Sequence, residues 1–461
     1  MEKKNAWNIY ETEDLTKLEE VCAGYKKFLD AGKTERECVA ESVRLASEVG
    51  YIDLEQAIKE KRSLKAGDKV YSVIMEKAAV FYLLGDEPIE NGLNILGAHI
   101  DSPRIDVKQV PLYEDEGNVY FDTHYYGGIK KYQWLAIPLA IHGVIVRKDG
   151  TKVAVSVGEN DDEPVFTISD LLPHLGRERE DTSVRKYIDA EKMDLLIGSR
   201  PAKDIEKEAA KEALLKILKE QYGIEEEDFL SAELEIVPAG KARECGFDKS
   251  MIMAYGQDDR VCAYTSLLAL LETEKVTRTA CVLIVDKEEI GSMGATGMES
   301  MFFENSLAEL MECNGTYSEL SIRRCLRRSY MISSDVNAAY DPMYATFFEK
   351  KNNSFLGGGL VFSKFTGSGG KGGANDANPE YIAALRKMLD DGNVIYQLAE
   401  LGAVDAGGGG TISHVMAKYA MNVIDAGMAV LSMHAPWEVT SKADIYEGLK
   451  GYKVFLQKAG I

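Results

Sequence analysis

Apolar runs that break abruptly onto charged residues recur along this chain. Cys281 to Val285 is five apolar residues in a row, the pattern of a buried strand. It breaks at Asp286, and Glu288 and Glu289 follow before Ile290 and Gly291 turn the backbone. Leu93 to Ala98 ends in the same way on His99-Ile100-Asp101-Ser102-Pro103, where Pro103 lacks an N–H and favours a loop. Ser250 to Tyr255 ends on Gly256-Gln257-Asp258-Asp259-Arg260, Tyr330 to Ser334 on Asp335, and Gly427 to Met433 on His434. Val70 to Leu84 reads as one or two strands and Leu360 to Phe365 as another. Helical stretches alternate with these runs. Residues 12–49 read as helices, with a capping box at Thr34-Glu35-Arg36-Glu37. Val261 to Glu274, Pro379 to Leu389 and Lys442 to Gln457 read as further helices. Strands and helices in alternation predict an α/β fold, a mostly parallel sheet flanked by helices.

The middle of the chain has another character. Residues 105 to about 200 read as short strands and turns. Ile141 to Arg147, Lys148-Asp149-Gly150-Thr151 and Lys152 to Val157 form a hairpin signal. An amphipathic helix is predicted over Asp204 to Tyr222, and Ala232 to Val237 reads as a strand leading back. The expectation is a β-rich domain, 105–238, inserted into a discontinuous domain made of 1–104 and 239–461.

Composition narrows the function classes. The chain has 461 residues, enough for two domains, and a net charge of −21. That charge argues against nucleic acid and anionic membranes, which require a basic footprint. No apolar run is long enough to span a bilayer, and the N-terminus has no signal-like apolar segment. Seven scattered cysteines with no C-x-x-C pair suggest reduced thiols and a cytoplasmic protein.

Five apolar runs therefore end on or near His99, Asp258, Glu289, Asp335 and His434. If these strands share one sheet, their carboxyl ends converge at one edge, where open α/β sheets place their ligands. Two histidines and three carboxylates form a site suited to zinc, cobalt or manganese. Five ligands exceed the needs of one catalytic zinc and suit two ions about 3.5–4 Å apart that share a bridging carboxylate. Two divalent ions carry four positive charges, which three carboxylates and one hydroxide balance. Without metal, three carboxylates in one cleft would repel one another and some would protonate. Asp101, two residues past His99, faces the same way in extended backbone and could orient a ligand. Glu288, beside Glu289, is the candidate general base that activates the metal-held water.

At these residues the chain resembles the aspartyl aminopeptidase family, in its bacterial branch: di-zinc exopeptidases that assemble as tetrahedral dodecamers. The resemblance spans nearly the whole chain. It is carried by GAHIDSP (97–103), YGG (126–128) followed by Trp134, LLPHL (171–175), GQDDR (256–260), EEIGS (288–292), SSD (333–335) and LSMH (431–434). It implies a zinc exopeptidase-like α/β fold and an aminopeptidase acting on peptide substrates. It further implies that His99 and Asp335 bind one metal, Glu289 and His434 the other, and that Asp258 bridges them. Asp259 competes for the bridge, and Asp258 is preferred because it occupies the motif's ligand position. Glu288 matches the catalytic base and Asp101 its supporting aspartate. The inserted segment matches a dimerisation domain, His174 a histidine that reaches a neighbouring subunit's active site, and Lys364 a lysine associated with substrate binding. Three departures stand out. Ala338 and Asp341 occupy positions where the family usually has histidines. FTGSGGKGGANDAN follows Lys364 in place of a Gln-Arg-Tyr signature. Ser413-His414 follows Thr411-Ile412 where Gly-Pro is usual. Asp341 would repel an acidic substrate side chain, so the expectation is aminopeptidase chemistry with a reduced preference for N-terminal Asp or Glu. The competing readings are a di-metal deacylase or carboxypeptidase using the same site, and an assembling shell with inactive metal sites. A dinucleotide binder is disfavoured because the glycines at 357–373 do not open a helix after a strand.

Overall fold

The computed structural model describes residues 4–179 and 181–459. The chain divides into two compact units. The first runs through Asp101, resumes over Ala242–Met433 and resumes again from Glu438; the second comprises Ser102–Lys241 with His434–Trp437.

The first unit is built on a nine-stranded sheet. Its centre is four parallel strands in the order Ala280–Val285, Asn94–His99, Tyr330–Ser333 and Asn422–Gly427. Lys69–Ile74 and Ala78–Leu83 extend one side as antiparallel neighbours, with Ile52–Asp53 at the edge. Leu360–Ser363, antiparallel to its neighbour, and Tyr396–Leu398 extend the other side. The central strands are covered on both faces, so their sequences are continuously apolar and do not alternate. Successive side chains still point to opposite faces. Leu96, Ala98, Val282, Ile284, Ile332 and Ile424 join one core, with side chains of the helices Thr12–Ala31, Gln257–Leu271 and Lys442–Lys458. Ile95, Cys281, Leu283, Val285, Met331 and Val423 join the other, with those of Phe302–Cys313 and Glu319–Arg328. The α/β class read from the sequence is the one observed.

One expectation needs correcting. The five strand ends do not share one sheet. Met251–Ala254, which precedes Asp258, lies in a separate five-stranded sheet with Arg243–Cys245, Glu438–Ser441, Ala429–Leu431 and Asn337–Ala338. The run expected as a strand over 427–433 holds only a short strand, and a second strand that ends at Gly427 precedes it. Asn422–Gly427 belongs to the large sheet and Ala429–Leu431 to the small one. The switch occurs at Gly427, where any Cβ would lie 2.1 Å from the carbonyl oxygen of Asp335. Apolar residues alone carry no mark of such a change of partner.

The second unit is a six-stranded antiparallel sheet, ordered Lys152–Val157, Leu139–Val146, Ala232–Pro238, Arg104–Asp115, Asn118–Tyr126 and Leu195–Gly198. The predicted hairpin is present, with Ile141 opposite Val157 and Val146 opposite Lys152. The predicted helix is shorter than expected. It spans Ala209–Ile217 and ends in one wider turn over Leu218–Tyr222. Left-handed backbone at Glu208 (φ 49°) prevents it from starting earlier. The first and last long strands of this unit are neighbours, with Ile105 opposite Ile236. Buried Arg104 ties them together. Its Nε lies 2.7 Å from Asp106 and 3.1 Å from Glu235, and its guanidinium sits 3.9 Å above the Tyr126 ring. All seven cysteines are free thiols. Among the described residues, no helix is long and apolar enough to cross a membrane.

Candidate metal centre

His99 is the last residue of a fully buried central strand. Its Nδ1 lies 3.0 Å from the carbonyl oxygen of Asp101 and 3.3 Å from that residue's carboxylate. Two acceptors at Nδ1 place the ring proton there, and the Nε2 lone pair then faces the other way. There Nε2 meets carboxylates: Asp258 at 3.2 Å, Glu288 at 3.9 Å and Asp335 at 3.9 Å.

Asp101 also organises the glutamate pair. Its buried carboxylate accepts the backbone N–H of Glu288 and of Glu289, each at 3.1 Å. The pair lies on a single tight turn, Glu288–Ile290, entered through left-handed Lys287 and left through Gly291 at φ 99°. That last conformation is one that glycine adopts readily and other residues resist. The turn follows directly from the Ala280–Val285 strand, so the buried strand sets where both glutamates stand.

Asp258 follows a turn at Gly256 (φ 71°), and its N–H donates to the Glu438 carboxylate at 3.0 Å. Its neighbour Asp259 is fully buried and accepts the backbone N–H of His99 at 3.4 Å. Of the two aspartates, Asp258 is the one whose carboxylate faces the His99 ring. Asp335 follows the Tyr330–Ser333 strand.

Overlapping groups of possible ligands result. Ligand atoms of His99, Asp258 and Asp335 lie within 4.8 Å of one another, as do those of His99, Glu288 and Glu289. A lone pair and four carboxylates converging in a partly buried space form a donor set that suits divalent cations. Without cations, the cluster must hold protons. Burial pushes the carboxyl groups of Asp335 and Asp259 well above the usual range, with neighbouring carboxylates adding to the effect. Burial pushes the His99 imidazole down, but the carboxylates of Asp101, Asp258 and Glu288 outweigh it and raise that group well above its ordinary value.

His434 is in the segment that packs with the second unit, with left-handed backbone (φ 65°) and its Nδ1 3.1 Å from the carbonyl oxygen of Gly128. His174 is exposed on the short helix Pro173–Gly176 of the second unit. Lys364 is exposed just past the Leu360–Ser363 strand, 3.8 Å from Asp376. Asp341 directs its carboxylate to the N–H of Met343, capping the turn Pro342–Phe347. Two buried contributors escaped the sequence reading. Arg260 donates to the carbonyl oxygens of Ile100 and Lys33, both at 3.1 Å, and so braces the peptide between His99 and Asp101. It stands inside the GQDDR motif, which could have flagged it. Glu438, which holds Asp258, is one acidic residue among 75 and carries no such signal.

Known proteins match this chain from end to end. Residues 28–456 fit the family model for aminopeptidase I zinc metalloproteases (M18). A probable M18 family aminopeptidase 1 of Clostridium acetobutylicum is 55% identical over 99% of this chain and 98% of that protein. The crystal structure of an M18 family aminopeptidase from Thermotoga maritima superposes with a TM-score of 0.94 at 44% identity, covering 99% of this chain and 100% of that one. That of aminopeptidase I from Clostridium acetobutylicum gives 0.93 at 54% identity, again over 99% and 100%. The chain belongs to the aminopeptidase I (M18) family of zinc metalloproteases.

Proposed function

We propose that this chain removes the N-terminal residue of peptides with two zinc ions per chain and Glu288 as general base. In this reading His99 and Asp335 would hold one ion, Glu289 and His434 the other, and Asp258 would serve both. Bound zinc would polarise the scissile carbonyl and acidify the attacking water. Glu288 would take a proton from that water and pass it to the departing amine. Asp101 would keep Glu288 and Glu289 in place through their backbone N–H groups and would orient the His99 ring. The observation that carries the reading is the convergence on His99 Nε2 of carboxylates from three separate elements: Asp258, Glu288 and Asp335.

The second unit is proposed as an oligomerisation domain of a dodecamer, with His174 offered to a neighbouring active site and Lys364 to the substrate. Reduced preference for acidic N-termini is part of the same proposal, and Ala338 and Asp341 motivate it.

The test is a panel of acidic, basic and apolar aminoacyl substrates with N-acetylated controls, run before and after chelation and zinc restoration. The expected result is metal-dependent release from free-amine substrates only. Glu288→Gln should lower kcat by about 10²–10⁴-fold while zinc content stays at the wild-type level. Turnover of the N-acetylated controls would favour a deacylase. Turnover of Asp and Glu substrates alone would sink the specificity proposal.

A further inference from the structure

We infer that Glu438 is a positioning residue for the metal centre: its carboxylate sets the direction of Asp258 by holding that residue's N–H. The inference rests on the two-zinc reading above.

Glu438 opens the strand Glu438–Ser441, directly opposite Ala254, the last residue of Met251–Ala254. From Ala254 the chain turns through left-handed Gly256 and comes back on itself. Glu438 meets the returning segment at two points. Its Oε2 accepts the Asp258 N–H at 3.0 Å, and its carbonyl oxygen accepts the Gln257 side-chain amide at 2.7 Å. The same Gln257 amide also reaches the Ile252 carbonyl oxygen at 3.1 Å, so the turn is tied to both strands.

In Asp258 the N–H and the carboxylate are separated only by Cα and Cβ. Anchoring the N–H therefore orients the Cα–Cβ bond and the carboxylate, whose Oδ1 lies 3.2 Å from His99 Nε2. A hydrogen bond from an amide to a carboxylate is roughly twice as strong as a neutral one, which suits it to this task. Glu438 is 2% exposed. Partners of this kind behind a metal ligand change metal affinity or activity by about 10–100-fold when removed.

Two conservative variants separate acceptor position from charge. Glu438→Gln keeps an oxygen at the same reach and loses the charge. Glu438→Asp keeps the charge and withdraws the acceptor by one methylene. Full-length protein would be stripped of zinc and titrated back against a chromophoric chelator, with kcat and KM measured at zinc saturation. Glu438→Asp should weaken zinc binding by about 10–100-fold and lower kcat with KM little changed. Glu438→Gln, which keeps the acceptor in place but makes the hydrogen bond neutral and about half as strong, should weaken zinc binding by a clearly smaller factor. A merely structural role would lower the Tm of the variants and leave the zinc Kd of the folded protein unmoved. Wild-type zinc affinity in Glu438→Asp, or equal losses in both variants, would overturn the inference alone. Failure of the wild-type protein to bind zinc would overturn the metal reading, and this inference with it.

Discussion

Asp425 shows how a residue can matter without being visible in the sequence. It lies opposite Ser333 in the large sheet and accepts the Thr411 hydroxyl at 2.7 Å, while Thr411 and Ser413 share a hydrogen bond of 2.6 Å. Ser413 is one of the departures from the family pattern, and here it becomes part of a buried hydroxyl–carboxylate cluster. Burial pushes the Asp425 carboxyl up to about 6 against the pull of Thr411, Ser333, Ser413 and nearby His414. A raised carboxyl pKa stabilises the fold fully below the unfolded value of 3.8 and loses that contribution as pH rises to about 6. The loss is on the order of 3 kcal/mol. In Asp425→Asn the side chain stays neutral, so the wild type should lose stability relative to this variant between about pH 4 and 6, then run parallel to it. Urea denaturation at a series of pH values would measure this, and a constant difference across the window would refute it. The clustered residues, by contrast, were legible because each ends or follows an apolar run. His99, Asp258, Glu288, Glu289 and Asp335 were picked out that way. Asp425 carries no such mark, because Asn422–Gly427 is not a continuous apolar run in the sequence.

Elements were legible where their ends are marked by chemistry. Thr34 accepts the Glu37 N–H at 3.3 Å and Glu37 returns an acceptor to the Thr34 N–H at 3.1 Å, so the helix Glu35–Glu48 starts where the capping box places it. Thr34→Ala should cost about 1 kcal/mol of unfolding free energy, read by chemical denaturation, and leave zinc content unchanged. The helix Ala209–Ile217 shows the opposite case. Its periodicity extends upstream, but left-handed residues at Asp204 and Glu208 stop the backbone from following. The split of the 422–431 region between two sheets is likewise a choice of hydrogen-bond partners. Hydrophobicity, which is all that an apolar run records, is blind to that choice.

For the whole molecule, the α/β class followed from the alternation of elements, whereas the strand order did not, because pairing joins residues far apart in sequence. The first unit's central strands come from residues near 95, 283, 332 and 424. The assembly proposal belongs to this scale. Light scattering should give a particle of twelve chains. His174→Ala should keep that mass and lose most of the activity. A monomer with full activity would reject the proposed role of the second unit.

The pairing of Arg104–Asp115 with Ala232–Pro238 has a bearing on how the chain folds. The segment Ser102–Lys241 separates Asp101 from the rest of its unit, and the ligand candidates stand on either side of it. Because Ile105 lies opposite Ile236, that segment closes on itself near its own ends. Once it has folded, the chain between Asp101 and Ala242 behaves as a tether of about ten residues in place of roughly 140, and the entropy cost of closing it falls by about 2 kcal/mol. The buried Arg104 pairing with Asp106 and Glu235 is then a clasp on that tether. Loosening it should slow the union of the two halves of the first unit more than it disturbs the finished site.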